Sequence, residues 1–382
     1  MKLSRLILLV MFCLVLAATC STRPEQPNIV LIVVDALRPD HLGCYGYSRP
    51  TSPNIDELAA EGVRFETAIT QAPWTKASFP SFLTSLYPFQ HGVMKWEAVL
   101  PETLTTLAET LGDAGYQTVC VMHRVGLDGR YRILQGFQEE IIVIKGRQGA
   151  VNTAAGALRA LKACSPPFFL MVHFFDTHKP YRVPDKYVDL VRGQAGIEPF
   201  HWESKPYVEA FERPTDEEIM GDMLLYDAGV RFADEGIGQI VDNLKETGLL
   251  ENTIIVITAD HGESFWEHGL PLHTTNVYDE AIKVPLIISS PSIDQRGATV
   301  REQVRLLDLF PTLVDFAGLE IPRQCEGSSL LYLLRTGKRQ ERDGTFLPSD
   351  LALCECTTKR RPATRCLRSS EWKIIVESLT SS

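Results

Sequence analysis

The chain has no excess of basic residues: 38 Lys and Arg stand against 48 Asp and Glu, a net charge of -10 at a sequence pI near 5.5. Non-specific binding to nucleic acid is thereby excluded, because a phosphate backbone must be neutralised by a surplus of cationic side chains. Long hydrophobic runs are equally scarce. One occurs, from Leu6 to Ala18, and nothing after it approaches the roughly 20 apolar residues of a membrane-crossing helix, so a protein with several spans is excluded. No internal repeat is visible, which removes solenoids. There are nine cysteines, but Cys354-x-Cys356 has no second spaced pair and so lacks the pattern of a structural zinc site.

What is present is ordinary globular composition: 382 residues, 45% hydrophobic and 23% charged, enough for one large core or for a large domain with a small one. The N-terminal run differs in kind. Lys2 and Arg5 lead into it, and Thr19, Cys20, Ser21 and Thr22 follow at once. That is the pattern of a secretory signal, too short for a stable span, so the chain is expected to be exported, to the periplasm or the cell surface. Cys20 stands where bacterial lipoproteins carry the residue that is lipidated after cleavage. Membrane attachment through lipidated Cys20 and release of a soluble form both remain open. In an oxidising compartment Cys325, Cys354, Cys356 and Cys366 are the best disulfide candidates, since the last three crowd a polar segment with little core of its own.

After a Pro-rich linker, Asn28 to Val34 is apolar at almost every position and runs into Asp35, which predicts a strand buried on both faces. The same pattern recurs at Phe168 to Phe175 before Asp176, at Thr253 to Thr258 before Asp260 and His261, and at Val284 to Ser289. Amphipathic helical stretches lie between, at Ile55 to Glu61, Glu102 to Ala114, Ala150 to Ala163 and about Glu217 to Thr247. Alternating strands and helices predict an α/β sandwich with a largely parallel central sheet flanked by helices. In such sheets ligands bind at the carboxyl edge of the strands, so Asp35, Asp176, Asp260 and His261 are expected to share one site. Val183 to Thr215 reads as a long loop insertion that shapes a pocket. The expected division is a signal peptide at 1–20, a catalytic domain at 27–324 and a small C-terminal subdomain at 325–382, where the composition turns polar and basic.

Asp35, Asp260 and His261 offer two carboxylates and an imidazole, which suit one divalent metal ion, Zn or Mn, or Ca with more oxygen donors. An acidic residue after a strand is also often a helix cap, and spacing alone leaves both readings open. The segment Ala72-Pro73-Trp74-Thr75-Lys76-Ala77-Ser78-Phe79-Pro80-Ser81-Phe82-Leu83-Thr84-Ser85-Leu86-Tyr87-Pro88, followed by His91-Gly92-Val93, resembles the nucleophile segment of the sulfatase family, in the alkaline phosphatase superfamily. In that family a Cys or Ser, oxidised to formylglycine, opens a C-x-P-S-R box ahead of a helix reading S-L-L-T-G-x-Y-P. Aligning Ser81 to Pro88 with that helix puts Thr75 at the nucleophile position, Ala77 at the Pro, Ser78 at the Ser and Phe79 at the Arg. The resemblance continues in PNIVLIVVDALRPDHLGCYGY from Pro27, TSPNIDELAAEGVRF from Thr51, TIIVITADHGESFWEHG from Thr253 and Val284-Pro285-Leu286. It runs from about Asn28 to Leu333.

The resemblance implies an alkaline phosphatase-like sandwich in which Asp35, Asp260 and His261 bind the metal, with Thr75 as fourth ligand and attacking group. Thr is not converted to formylglycine in the same way, and Phe79 replaces the Arg that the converting machinery reads, so a formylglycine enzyme is not implied. Thr here instead resembles the phosphodiesterase, phosphoethanolamine-transferase and phosphoglycerol-transferase branches, where a metal-bound Thr alkoxide attacks. The alternative is Thr75 as an ordinary helix N-cap. Ala36 stands where many sulfatases have a second Asp, which favours a His-containing single-metal set over a calcium cage.

His178, in Asp176-Thr177-His178-Lys179-Pro180-Tyr181, is similar to the family's D-P-H-x-P-Y, and His273 stands where relatives carry a Lys or His that contacts the ester. Both are expected to hydrogen-bond the charged oxygens or to protonate the leaving group. Lys76 and His123 are expected to assist substrate binding. His123 lies near the family's Lys in G-K-W-H-L-G, although Met122, Arg124 and Val125 break that box. Arg368-Ser369-Ser370-Glu371-Trp372-Lys373-Ile374-Ile375 resembles the family's R-x-x-x-W-K-x-I strand, and the chain stops soon after it, so either the subdomain is abbreviated or the sequence is cut short.

The expected activity is hydrolysis of an anionic ester, a sulfate or a phosphate. Two rivals stand beside it. One is a phospho-headgroup transferase, in which an acceptor alcohol intercepts the covalent intermediate. The other is a non-catalytic anion-binding surface lipoprotein, which loss of metal binding would distinguish.

Overall fold

Strand β1 (Asn28–Val34) is buried at all seven positions, as an uninterrupted apolar run requires when both faces of a sheet are covered. The computed structural model describes residues 26–123, 127, 129–143, 149–193, 196–200, 213–274 and 276–337, and the backbone of three further strands near the C-terminus. The signal-like segment and Cys20 lie outside the described residues.

The remaining strands of the main sheet are β2 (Val63–Ile69), β3 (Gln117–His123), β4 (Glu139–Val143), β5 (Phe168–Phe174) and β6 (Thr253–Thr258). A short hairpin, β7 (Ser264–Phe265) with β8 (Pro271–Leu272), stands apart from it. The sheet is completed by β9 (Lys283–Ser289), β10 (Ala298–Val300) and β11 (Val304–Arg305). Strand order is β10-β2-β9-β6-β1-β5-β3-β4, with β11 also on β2. Every neighbour pairs in parallel except β9, which runs against both β6 and β2. The predicted α/β class with a largely parallel sheet is therefore observed.

Two groups of helices flank the sheet. The first gathers Pro53–Glu61, Gly149–Ala163 and Asp185–Arg192 around the 31-residue helix Asp216–Glu246. That long helix starts where Thr215 and Glu218 form a reciprocal capping box, which satisfies two amide donors that would otherwise be orphaned. Gly229 lets it approach the loop after β5, since a Cβ there would lie 2.6 Å from the Asp176 carbonyl oxygen. The second group packs Leu309–Phe316 against Thr75–Thr84, Leu107–Asp113 and Leu331–Thr336.

Three expectations are modified. The helical stretch from Glu102 begins only at Leu107, where Thr106 accepts the Glu109 amide and caps it. The segment from Val183 to Thr215 is not all loop, because Tyr187, Val188 and Val191 bury one side of helix Asp185–Arg192; residues 201–212 of it lie outside the described residues. Cys325 is a free thiol. Leu330, Leu331, Leu333 and Leu334 belong to the main core, so the chain rejoins that core after Cys325. Beyond it, β12 (Leu353–Thr358), β13 (Arg361–Arg368) and β14 (Trp372–Val376) form a separate antiparallel sheet. The register sets Cys354 opposite Cys366; the side chains there lie outside the described residues. Among the described residues no helix is long and apolar enough to cross a membrane.

Candidate active site

Parallel register brings the ends of β1, β5 and β6 to one edge: Val33 pairs with His173 on one side and Thr258 on the other. Asp35 is the first residue past β1, and its amide donates to the Phe174 carbonyl at 2.9 Å. The chain then turns at Ala36, whose φ of 53° is left-handed. Ala36 N–H donates to Asp260 Oδ1 at 3.2 Å, and His261 N–H to the same oxygen at 3.0 Å. Thr75 opens helix Thr75–Thr84 after Trp74. Ser78 Oγ donates to the Asp260 carbonyl at 2.6 Å and docks that helix on the loop after β6.

These contacts place Thr75 Oγ1 3.2 Å from His261 Nε2 and 3.4 Å from Asp35 Oδ2. His261 Nδ1 lies 2.8 Å from the Gly262 carbonyl, which a hydrogen on Nδ1 satisfies, and Nε2 faces the acidic pair, 3.4 Å from Asp260 Oδ2. One ligand atom each from Asp35, Asp260 and His261, all buried, falls within 4.8 Å of the others. Asp35 Oδ1 and Asp260 Oδ2 are buried without a hydrogen-bond partner.

Burial raises the Asp35 carboxyl, but His178, His173 and His261 outweigh it and hold the group far below the usual carboxylate range. Burial, and then the negative charge of Asp35, pushes Asp260 up. Two buried carboxylates with orphaned oxygens beside an imidazole nitrogen fit a divalent cation, which would supply the missing partner to both acids.

Five of the chain's nine histidines ring this place. His178 stacks on Phe175 with centroids 4.3 Å apart, and His123 stacks on the same ring at 5.4 Å. His273 meets His178 at 5.2 Å and His261 at 4.3 Å. His173 Nε2 is 3.3 Å from Asp35 Oδ2. The predicted Asp35, Thr75, His178, Asp260, His261 and His273 thus converge, and His123 reaches the group through Phe175. Lys76 is buried; its ammonium donates to the Trp96 carbonyl and lies 3.2 Å from the Tyr131 ring centroid, which sets it among aromatic side chains.

Two residues were not anticipated. Glu263, fully buried, holds His273 Nδ1 at 3.2 Å through Oε1, and burial lowers the His273 pKa less than Glu263, Asp35 and Asp260 raise it. The signal was present in the third residue after Asp260 of the D-H-G-E run. His173 is hidden inside the apolar run FFLMVHFF and gave no signal. Phe79, at the family's Arg position, is buried with its ring 4.9 Å from Phe82 and 5.0 Å from His173.

The chain matches the sulfatase family over residues 27–139 and 146–319. It is 29% identical over 346 residues to the ulvan-active sulfatase of Formosa agariphila, covering 82% of this chain and 66% of that one. Against the arylsulfatase of Clostridium perfringens it is 28% identical over 398 residues, covering 84% and 80%. The fold also resembles that of a protein solved in complex with its substrate D-glucosamine-2-N,6-O-disulfate, with a TM-score of 0.75, 20% identity and coverage of 92% and 91%. With three quarters of its length matched and the alkaline phosphatase-like fold in place, the chain belongs to the sulfatase family of sulfuric ester hydrolases.

Proposed function

We propose that this is an exported, metal-dependent hydrolase of a sulfate or phosphate ester in which Thr75 is the attacking group. The observation that carries the reading is the approach of Thr75 Oγ1 to both His261 Nε2 and Asp35 Oδ2, at 3.2 and 3.4 Å, from the first turn of a helix. Asp35, Asp260 and His261 would hold the cation, of which Zn, Mn and Ca are the candidates. A divalent cation there lowers the pKa of a neighbouring hydroxyl and offsets charge on the ester oxygens.

The chain's own groups account for the remaining work. Thr75 Oγ1 gives up its proton to water and forms a bond to sulfur or phosphorus as the bond to the leaving alcohol breaks, and the helix N-terminus favours the anionic oxygens. His273, oriented by Glu263, gives its Nε2 proton to the departing oxygen, and His178 hydrogen-bonds the ester. Phe79 offers no cation where the family has Arg, so the hydrogen bonds of these histidines stand in for it. Water then cleaves the ester formed on Thr75.

Metal analysis of the purified chain, with parallel assays of aryl sulfate, phosphate and phosphodiester esters, tests this. Bound metal and turnover that Thr75→Ala abolishes support it. No bound metal and no turnover on any ester after reconstitution with Zn, Mn or Ca leaves the anion-binding reading, and transfer to an added alcohol faster than to water leaves the transferase.

Export rests on Lys2, Arg5, the Leu6 to Ala18 run and Cys20. Fractionation of cells expressing the full chain and its Cys20→Ala variant separates a lipid anchor from simple cleavage, since only an anchored form moves from membrane to soluble fraction.

A further inference from the structure

We propose that Tyr226 is a positioning residue for the cation site, its hydroxyl holding the turn at Ala36 that keeps Asp35 and Asp260 together. The inference rests on the reading above that Asp35, Asp260 and His261 take a divalent cation. Tyr226 is wholly buried in the middle of helix Asp216–Glu246, far in sequence from either motif. Its hydroxyl donates to the Ala36 carbonyl at 2.8 Å and accepts from Arg38 N–H at 2.8 Å. One oxygen therefore bridges the turn that leaves Asp35.

That turn needs holding. At φ 53° Ala36 is in the left-handed region, which is unfavourable for a residue with a Cβ. In this conformation the Ala36 amide points at Asp260 Oδ1, 3.2 Å away. Arg38, the other residue the hydroxyl touches, sends its guanidinium 3.0 Å to the Glu263 carbonyl. These two grips of the first metal segment on the second, and the bond from Arg38 to the Glu267 carboxylate, all start at the two residues that Tyr226 bridges. If the turn relaxed to a right-handed or extended form, the Ala36 amide would leave Asp260 and both carboxylates would gain freedom. The ring is itself fixed, edge-on to His41 at 4.9 Å and to Phe265 at 5.1 Å, so the hydroxyl is delivered to one place.

Tyr226→Phe removes the oxygen and keeps the ring. In the metal-free full chain, amide hydrogen exchange across residues 35–42 should accelerate by at least about 10-fold, because Arg38 N–H loses its acceptor. Mn2+ affinity, titrated by electron paramagnetic resonance, should weaken by about 10- to 100-fold, the range for groups that orient ligands. Ala36→Gly removes the penalty on the left-handed form, so adding it to Tyr226→Phe should recover part of the affinity, which a merely structural tyrosine would not allow. Unchanged exchange across 35–42, or an Ala36→Gly background in which Tyr226→Phe loses as much affinity as before, overturns the proposal. Should Tyr226→Phe not fold, Ala36→Gly alone decides: affinity within about 2-fold of wild type supports the clamp, and a loss of about 10-fold overturns it. If the wild-type chain binds no Mn2+, Zn2+ or Ca2+, the cation reading fails, and the exchange result still decides whether Tyr226 holds the turn.

Discussion

Glu263 Oε1 and His273 Nδ1 lie 3.2 Å apart in a pair that is almost wholly buried. Burial alone would lower the imidazole pKa, and the nearby Glu263 carboxylate overcomes it and moves the value above 6.5. A raised histidine pKa keeps the protonated form, the one able to donate to a leaving oxygen, until higher pH. Glu263→Gln should therefore shift the alkaline limb of the kcat profile to lower pH while metal content stays unchanged. A profile that does not move removes His273 from the proton-donating role.

Thr75→Ala should lower kcat on whichever ester is turned over by at least about 10^3-fold, the scale seen when an attacking group is deleted. Metal content should persist, because Asp35, Asp260 and His261 stay in place. Thr75→Ser restores a hydroxyl and should recover measurable turnover. Equal activity in Thr75→Ala would leave Thr75 as a helix-capping residue.

Chelation should destabilise the fold. A ligand bound only to the native state, present at about 100 times its Kd, contributes about 2.7 kcal/mol, or roughly 4 °C in Tm for a domain of this size. Scanning calorimetry with and without EDTA reads this directly, and Asp260→Asn should abolish the difference. A Tm indifferent to EDTA in both proteins argues that no cation occupies the site.

His91 makes a separate prediction about pH. Its Nδ1 accepts the Val93 amide at 3.1 Å and its Nε2 meets Ser81 Oγ at 3.1 Å. Burial lowers its pKa from 6.5 to about 3, so between those values the unfolded chain holds a proton that the native one does not. Stability is then full above about 6.5 and falls as pH drops toward about 3, by as much as several kcal/mol. His91→Asn, whose amide oxygen can still accept from Val93, should flatten that slope in urea titrations. A slope of the same steepness would place the acid sensitivity elsewhere.

Arg305 and Asp308 are both buried, joined at 2.7 Å, and Arg305 also donates to Tyr87 Oη at 3.0 Å and to the Glu326 carbonyl at 3.2 Å. Arg305→Met leaves Asp308 charged and under-partnered in the interior, and should cost about 3–5 kcal/mol. Thermal unfolding measures it, and a loss near zero would mean that water reaches the pair.

Strands β1 and β6 were legible to the residue because runs of branched apolar side chains end abruptly in acids. Helix Asp185–Arg192 was obscured by the prolines and glycines around it, although Tyr187, Val188 and Val191 keep a helical spacing. Within the site, Asp35, Asp260 and His261 stood out by type and position after strands. Thr75 did not: only its likeness to a known segment singled it out, because a threonine at a helix start is ordinarily a cap. Tyr226 and His173 were invisible, since a tyrosine in a helix and a histidine in an apolar strand look like packing until their polar atoms have neighbours.

Strand β9 carries a consequence for how the protein is made. Among the described residues it is the one antiparallel strand of the main sheet and the only link, through strand pairing, between β2 and β6. The segment after β2 carries Thr75, and the segment after β6 carries Asp260 and His261. A nascent chain that has left the ribosome only as far as the end of that second segment therefore holds both halves of the site without the seam that joins them. Competence should arrive only after residues 283–289 have slotted between two strands made far apart in the order of synthesis and helix Leu309–Phe316 has docked on helix Thr75–Thr84.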